Sequence, residues 1–115
     1  MYLIGTGHIG PHLYLCVVME NESRYVVCYE FGKSNSDKLK KLVIEKSEIH
    51  ESPSSSRIMS AFFGSLTQEC LYQNITKNPE IIKARVTDWL YYYNNDRLHS
   101  SLGYKTPYEV YKSML

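Results

Sequence analysis

The side chains best suited to chemistry lie close together near the C-terminus, in a short polar stretch. Arg97, His99 and Lys105 combine fixed positive charge with a ring that titrates near neutral pH. One role for them is structural, because Arg97 and His99 could hydrogen-bond the carbonyls left unpaired where the preceding helix ends. The stretch is therefore a candidate site, whether its side chains act on a ligand or on the fold.

Histidine and cysteine residues elsewhere could suggest a metal. His8 and His12 are four residues apart, but a glycine and a proline between them argue against a helix, so ordinary loop histidines are expected. The three cysteines, Cys16, Cys28 and Cys70, lie in apolar surroundings without short metal-ligand spacing. They are expected to be small buried thiols, and no metal site is predicted.

Two well-marked helices flank the polar stretch. Asn78 and Pro79 suit the N-cap and the first position of the helix that precedes it. Helical spacing predicts a buried stripe on this helix, formed by Ile82, Val86, Trp89, Leu90 and Tyr93. After the stretch, Thr106, Pro107 and Glu109 have the pattern of a capping box and predict the start of a last helix.

The N-terminal half predicts strands followed by a helix. An apolar start predicts an edge strand over residues 1–4, and three glycines and a proline predict a turn region over residues 5–12. Residues 13–19 are apolar on both alternating faces, which is typical of a central strand, and residues 24–31 predict its antiparallel partner. A first helix is predicted over residues 34–46, capped by Ser34 or Ser36.

The middle of the chain predicts a loop and then a second long helix. Residues 47–57 are polar and rich in serine, with one proline, so they predict a loop. Residues 57–74 carry apolar side chains at helical spacing and predict the helix.

Composition indicates one small globular domain. The chain has 115 residues, 43% of them hydrophobic, and no apolar run long enough for a membrane helix, so we expect a cytoplasmic protein with no membrane partner. A formal net charge of +1 gives no support of its own for nucleic-acid binding. The eleven tyrosines are expected mainly in the core.

Two blocks of residues follow a distinctive order and spacing. The first comprises Tyr93-Asn94, Arg97-Leu98-His99-Ser100, Leu102-Gly103-Tyr104 and Thr106-Pro107. The second comprises Met59, Phe62-Phe63-Gly64-Ser65-Leu66 and Glu69-Cys70-Leu71-Tyr72. Together they resemble bacterial insertion-sequence transposases of the orfB type, whose catalytic core is like that of retroviral integrases. The hairpin Leu13-Tyr14-Leu15, Glu20 and Ser23-Arg24 resembles the same family.

The resemblance implies the fold. It implies an α/β (α+β) arrangement, a truncated ribonuclease H-like fold of about three antiparallel strands packed with four helices. The whole chain, residues 1–115, would be a partial integrase-like core domain. Its parts would be the strands and first helix (1–46), a loop at an apparent internal deletion (47–57), and a C-terminal helical part (58–115).

The resemblance also implies a chemistry that this sequence does not support. Such transposases cut and join phosphodiesters with two magnesium or manganese ions, held by two aspartates on strands and a glutamate on a helix. The family pattern places the glutamate at Ser60, and a rough alignment places the first aspartate at Tyr2. A hydroxyl carries no charge and cannot replace a carboxylate ligand.

The second aspartate has no place in the chain. It should follow the first long helix on a strand of its own, but only residues 47–57 separate the two helices. Ile49-His50 would be the stump of that strand, and Glu51 is an acid left there that is given little weight as a ligand. Glu69 lies nine residues beyond Ser60, on the opposite helical face, so it is not expected to substitute.

These features predict a remnant of an integrase core, of the DNA transposition and DNA integration family, that is catalytically inactive by itself. Whether the chain is an enzyme is left uncertain, and no cofactor is expected. An active nuclease would need acids from unexpected positions. The implied partners are DNA, a second copy of the chain, or an intact transposase.

The resemblance assigns any surviving DNA contact to the polar stretch. Arg97, His99 and Lys105 would contact phosphates, which gives weak, sequence-independent and salt-dependent binding. The alternative function is a non-catalytic regulatory module that binds DNA or a transposase. Such a module is expected to present a basic face built from Arg57, Lys77, Lys83, Arg85, Arg97 and Lys105.

Overall fold

The computed structural model describes residues 2–34, 37–47, 56–73 and 75–115. They form, in chain order, β1 (Tyr2–Gly10), β2 (Leu13–Glu20), β3 (Val26–Gly32), α1 (Asp37–Ser47), α2 (Ser56–Leu66), α3 (Pro79–Asn95) and α4 (Pro107–Ser113). A π-helical turn, Thr67–Leu71, extends α2, and a 3-10 turn, Ser100–Leu102, precedes α4. Three antiparallel strands with four helices confirm the predicted α+β fold class and agree with a truncated ribonuclease H-like core.

Some predicted features fall on residues that the structure does not describe. The cap proposed for Ser36 is one of them, and so are the strand stump at Ile49 and His50 and the acid Glu51. Most of the predicted loop between residues 47 and 57 also lies outside the described ranges.

The sheet has the order β1-β2-β3, with β2 in the centre. Side chains of β2 alternate between two apolar clusters. Leu15, Val17 and Met19 belong to the cluster that packs on α2 and α3, whereas Cys16 and Val18 belong to the cluster that packs on α1. The predicted central strand covered on both faces is confirmed.

The last two helices begin where local sequence signals predict. The Asn78 side chain accepts hydrogen bonds from the backbone N–H of Glu80 (3.0 Å) and of Ile81 (3.4 Å). Thr106 and Glu109 form the predicted capping box. The predicted stripe on α3 is buried at all five positions. Among the described helices, none combines the length and the apolar character needed to cross a membrane.

The first strand is longer than the sequence suggested. The prediction of a strand over residues 1–4 and a turn over residues 5–12 was wrong, because β1 continues to Gly10 and the turn is limited to residues 11–12. Gly5 and Gly7 lie inside β1 rather than in a turn. They let α2 approach closely, since a Cβ at Gly5 would lie 2.6 Å from Met59 Sδ, and one at Gly7 would lie 2.5 Å from Phe63 Cδ1. His8 consequently lies in a strand rather than a loop.

Replacing Gly7 by alanine should lower the free energy of unfolding by about 1 kcal/mol, because the added methyl displaces the Phe63 ring. Phe63 is only partly buried and can shift, which keeps the effect at the low end of the overpacking range. Chemical denaturation measures the effect.

Gly64 provides a matched control on the facing helix. A Cβ there meets no atom within 4 Å, so Gly64→Ala should stabilise the protein by about 0.5–1 kcal/mol through helix propensity. A Gly7→Ala protein as stable as the wild type would show that close packing is not what requires glycine in β1.

A side chain occupies the first backbone position on the outer edge of β3. Asn94, near the end of α3, accepts a hydrogen bond from the Val26 N–H at Oδ1 (2.9 Å) and donates one from Nδ2 to the Val26 carbonyl (3.0 Å). Its amide thus makes the pair of bonds that a neighbouring strand would make. At the other edge, β1 pairs with β2 and with no further strand among the described residues.

Candidate functional site

The polar stretch is a compact loop built on the end of α3. The backbone N–H groups of Asp96 and Arg97 both donate to the Tyr92 carbonyl (2.8 Å each) and turn the chain away from the helix. His99 and Lys105 then pair across the loop, with His99 N–H donating to the Lys105 carbonyl at 3.1 Å. Gly103, with a φ of 66°, permits the left-handed conformation that closes it.

Arg97 pairs with an acid, Glu69, on the π-helical turn that extends α2. Its Nη2 lies 2.6 Å from Glu69 Oε2, and its Nε donates to Glu69 Oε1 at 2.9 Å. The Trp89 indole N–H donates to the same Oε1 at 3.3 Å. Arg97 thereby keeps the pKa of Glu69 below its ordinary value.

Arg97 has a structural role, but it does not bind the carbonyls at the end of α3 as predicted. The Tyr92 carbonyl is occupied by backbone N–H groups, and the Tyr91 carbonyl accepts from the Asn95 side chain at 3.0 Å. The Arg97 guanidinium instead ties the loop to Glu69. Its contribution is thus to tertiary packing rather than to capping of α3.

The Arg97 guanidinium also lines a cavity of about 240 Å³. Arg24, Arg57, Arg97 and His99 line it together, and we call it the arginine cavity. The hydroxyl-bearing residues Ser65 and Ser101 and the aromatic residues Phe62 and Tyr93 complete most of the wall. No carboxylate of a described residue lines it. The cavity therefore gathers positive charge from parts of the chain that are distant in sequence.

His99, which lines the arginine cavity, is held in its neutral form. Burial, together with the nearby positive charges of Arg97 and Arg24, lowers the pKa of His99 to about 4. Its Nε2 lies 3.4 Å from Arg97 Nη1. Because a guanidinium can only donate, Nε2 accepts, and the ring proton belongs on Nδ1. The ring also packs edge-on against Tyr93, with centroids 5.0 Å apart.

The structure brings together only part of the predicted site. Arg97 and His99 share the arginine cavity, whereas Lys105 is exposed and does not line it. Of the predicted basic face, Arg57 joins the cavity and Lys83 pairs with Glu80 at 3.1 Å.

Sequence reasoning missed Arg24 as a site residue. It follows β2, in the turn before β3, and adopts a left-handed conformation with a φ of 62°. Its N–H donates to the Glu20 carbonyl at 2.9 Å. The buried Glu20 carboxylate also accepts the N–H of Ser23 at 2.6 Å. These local bonds fix the turn, but no local pattern signals that Arg24 would meet residues from α2 and the loop.

The residues present do not fit a two-metal site. Ser60 is exposed on α2, which packs on one face of the sheet, and Tyr2 packs in the cluster on the other face. Glu69 is engaged by Arg97 and Trp89. Within the described ranges, no three histidine, cysteine or acidic side chains converge in a way that could hold a metal ion.

Comparison with known proteins gives one match. Residues 60–115, just under half of the chain, match the family model described as integrase core domain. No curated protein and no solved structure matches the chain. Over this C-terminal part, which contains α3, the loop and α4, the chain is similar to an integrase core, and the predicted resemblance is confirmed at that level.

Proposed function

We propose that this chain is a transposase-derived integrase core module that lacks strand-transfer chemistry by itself and keeps a phosphate-mediated contact with nucleic acid. The observation that carries the proposal is the match of residues 60–115 to the integrase core domain, with Ser60 at the position that the resemblance assigns to the glutamate. The match supports an integrase-related module, and Ser60 argues against catalysis by metal ions.

The phosphate contact is supported by the arginine cavity. Nucleic-acid binding depends largely on arginine and lysine side chains that meet phosphate oxygens. Arg24 and Arg57 line the cavity, and neither forms an ion pair with another described residue. Lys105, exposed on the loop that carries His99, could add a peripheral contact.

The purified chain should show no nicking or joining of supercoiled plasmid DNA with magnesium or manganese. Two-metal catalysis needs several carboxylates in line with the phosphate, and Ser60 supplies none. Gel electrophoresis over hours measures the conversion, and a trace of added nuclease verifies the detection limit. Metal-dependent strand transfer that survives stringent purification would contradict the proposal.

The Ser60→Glu variant tests whether the glutamate is the only metal ligand that is missing. One restored carboxylate leaves the strand ligands missing, so this variant should remain inactive in the same assay. A measurable gain in cleavage would mean that the other ligands are present at unexpected positions.

A further inference from the structure

The arginine cavity carries more positive charge than the described part of the chain neutralises. Arg97 is paired with Glu69, at 2.6 Å between Nη2 and Oε2. Arg24 and Arg57 have no such carboxylate among the described residues. Counting only the described residues, the cavity wall therefore presents two positive charges without a carboxylate partner, although the whole chain has a formal net charge of only +1.

The placement of these two side chains is unfavourable without an anion. Arg57 lies in the first turn of α2, which has no acidic residue, and the helix dipole disfavours positive charge there. Converging like charges repel as well. An anion between them would offset each of these costs.

Charge and size together indicate which anion fits. A guanidinium is a planar fork that matches phosphate oxygens in a bidentate manner, and two such forks balance a dianion. The hydroxyl groups of Ser65 and Ser101 and the neutral imidazole of His99 are additional hydrogen-bonding groups in the wall. A volume of about 240 Å³ admits a phosphate with its sugar but not a duplex.

We infer that the arginine cavity binds a phosphomonoester dianion, as carried by the phosphorylated end of a nucleic-acid strand or by a mononucleotide. A phosphodiester within a strand carries only one charge, so it balances two guanidinium groups less well. The inference rests on the proposed function and deepens it, because it names the part of the nucleic acid that is recognised.

Fluorescence anisotropy can test the inference with a short single-stranded oligonucleotide prepared with a 5′-phosphate, with a 3′-phosphate, or with hydroxyl groups at both ends. One phosphorylated form should bind about tenfold more tightly than the hydroxyl form, which corresponds to one charge-assisted recognition element. Adenosine monophosphate and inorganic phosphate serve as competitors. If adenosine monophosphate or inorganic phosphate displaces the oligonucleotide at a concentration equal to that of the oligonucleotide, the cavity recognises a free phosphomonoester. If a much higher concentration is needed, the cavity recognises the phosphorylated end of a strand.

Three variants assign the preference to the cavity. Arg57→Gln and Arg24→Gln should each abolish the preference for the phosphorylated end, with the melting temperature measured alongside. Lys112→Gln, which changes an exposed cation on α4 outside both the cavity and the predicted basic face, should retain it. Because Arg57 is exposed on a helix, its variant is expected to fold even if the Arg24 turn does not tolerate change.

The spectrum of His99 adds a readout independent of affinity. A bound dianion opposes the arginine charges that lower the pKa of His99, so its NMR titration should move to higher pH when phosphate is added. Equal binding of all three oligonucleotides would overturn the inference and leave the proposed nucleic-acid contact standing. Failure of every oligonucleotide to bind at low salt, with no shift of the His99 titration on addition of adenosine monophosphate, would overturn both.

Discussion

Replacing Asn94 by alanine should lower the free energy of unfolding by about 2–4 kcal/mol. The change removes both hydrogen bonds to the Val26 backbone, at 2.9 and 3.0 Å, which join α3 to β3 across 68 residues of sequence. Val26 is buried, with 4% of its surface exposed, so its N–H and carbonyl would lose their partners where water has poor access. Each unsatisfied group costs about 1–3 kcal/mol.

Asn95 is the matched control one residue further along. Its Nδ2 donates to the Tyr91 carbonyl within the same helix, in an exposed position. Asn95→Ala should therefore change stability by less than about 0.5 kcal/mol. Urea denaturation of both variants measures the comparison. Equal stability of the two proteins would show that the Asn94 amide does not hold the edge of the sheet.

The Glu69→Gln variant should be destabilised by about 2 kcal/mol at pH 7. The variant keeps the shape of the side chain but removes the charge that faces Arg97, leaving a cation whose side chain is only 22% exposed. Hydrogen bonds to charged groups are worth about 1.5–3 kcal/mol, and the partial exposure of Glu69 places the effect within the lower part of that range.

The pH dependence identifies the charge as the cause. Hydrogen bonding to Arg97 lowers the pKa of Glu69 in the folded protein from its ordinary value of 4.5. Its contribution is therefore complete above pH 4.5 and is lost as pH falls through the folded-state pKa. The difference between wild type and Glu69→Gln should be constant from pH 7 to about pH 5 and should shrink in more acidic solution.

A second ion pair controls for a general effect of charge. Glu80 pairs with Lys83 at 3.1 Å on the surface of α3, and its side chain is 80% exposed. Glu80→Gln should change stability by well under 1 kcal/mol at any pH. If Glu80→Gln and Glu69→Gln were equally stable, the link between the loop and α2 would not contribute to folding.

The elements that the sequence predicts correctly are those set by neighbouring residues. The caps at Asn78 and Thr106 and the buried stripe of α3 follow from patterns within one turn or one helix. The glycines of β1 misled the prediction because glycine has two uses. At Gly5 and Gly7 the structure uses its lack of a side chain rather than its backbone freedom.

The site depends on contacts that no local pattern encodes. Arg97 can be identified as a candidate from the sequence. Its partner Glu69 lies 28 residues away, and no local pattern indicates that the two side chains pair. The arginine cavity joins Arg24, Arg57 and Arg97, which come from a turn, a helix start and a loop. Which cations converge is decided by tertiary packing, so composition and net charge could not reveal the cavity.

The difference between the two sheet edges governs how copies of this chain could associate. A sheet with two open edges can add strands without limit, as in a fibril, whereas a sheet with one open edge is complete after one addition. On β3, the Asn94 amide hydrogen-bonds the Val26 backbone, and Glu30 carries a negative charge that pairs with Lys46. The β1 sequence has no acidic residue, lysine or arginine. Asn94 thus blocks one backbone position on the β3 edge, which makes β1 the more accessible edge and favours a closed pair over an open-ended polymer.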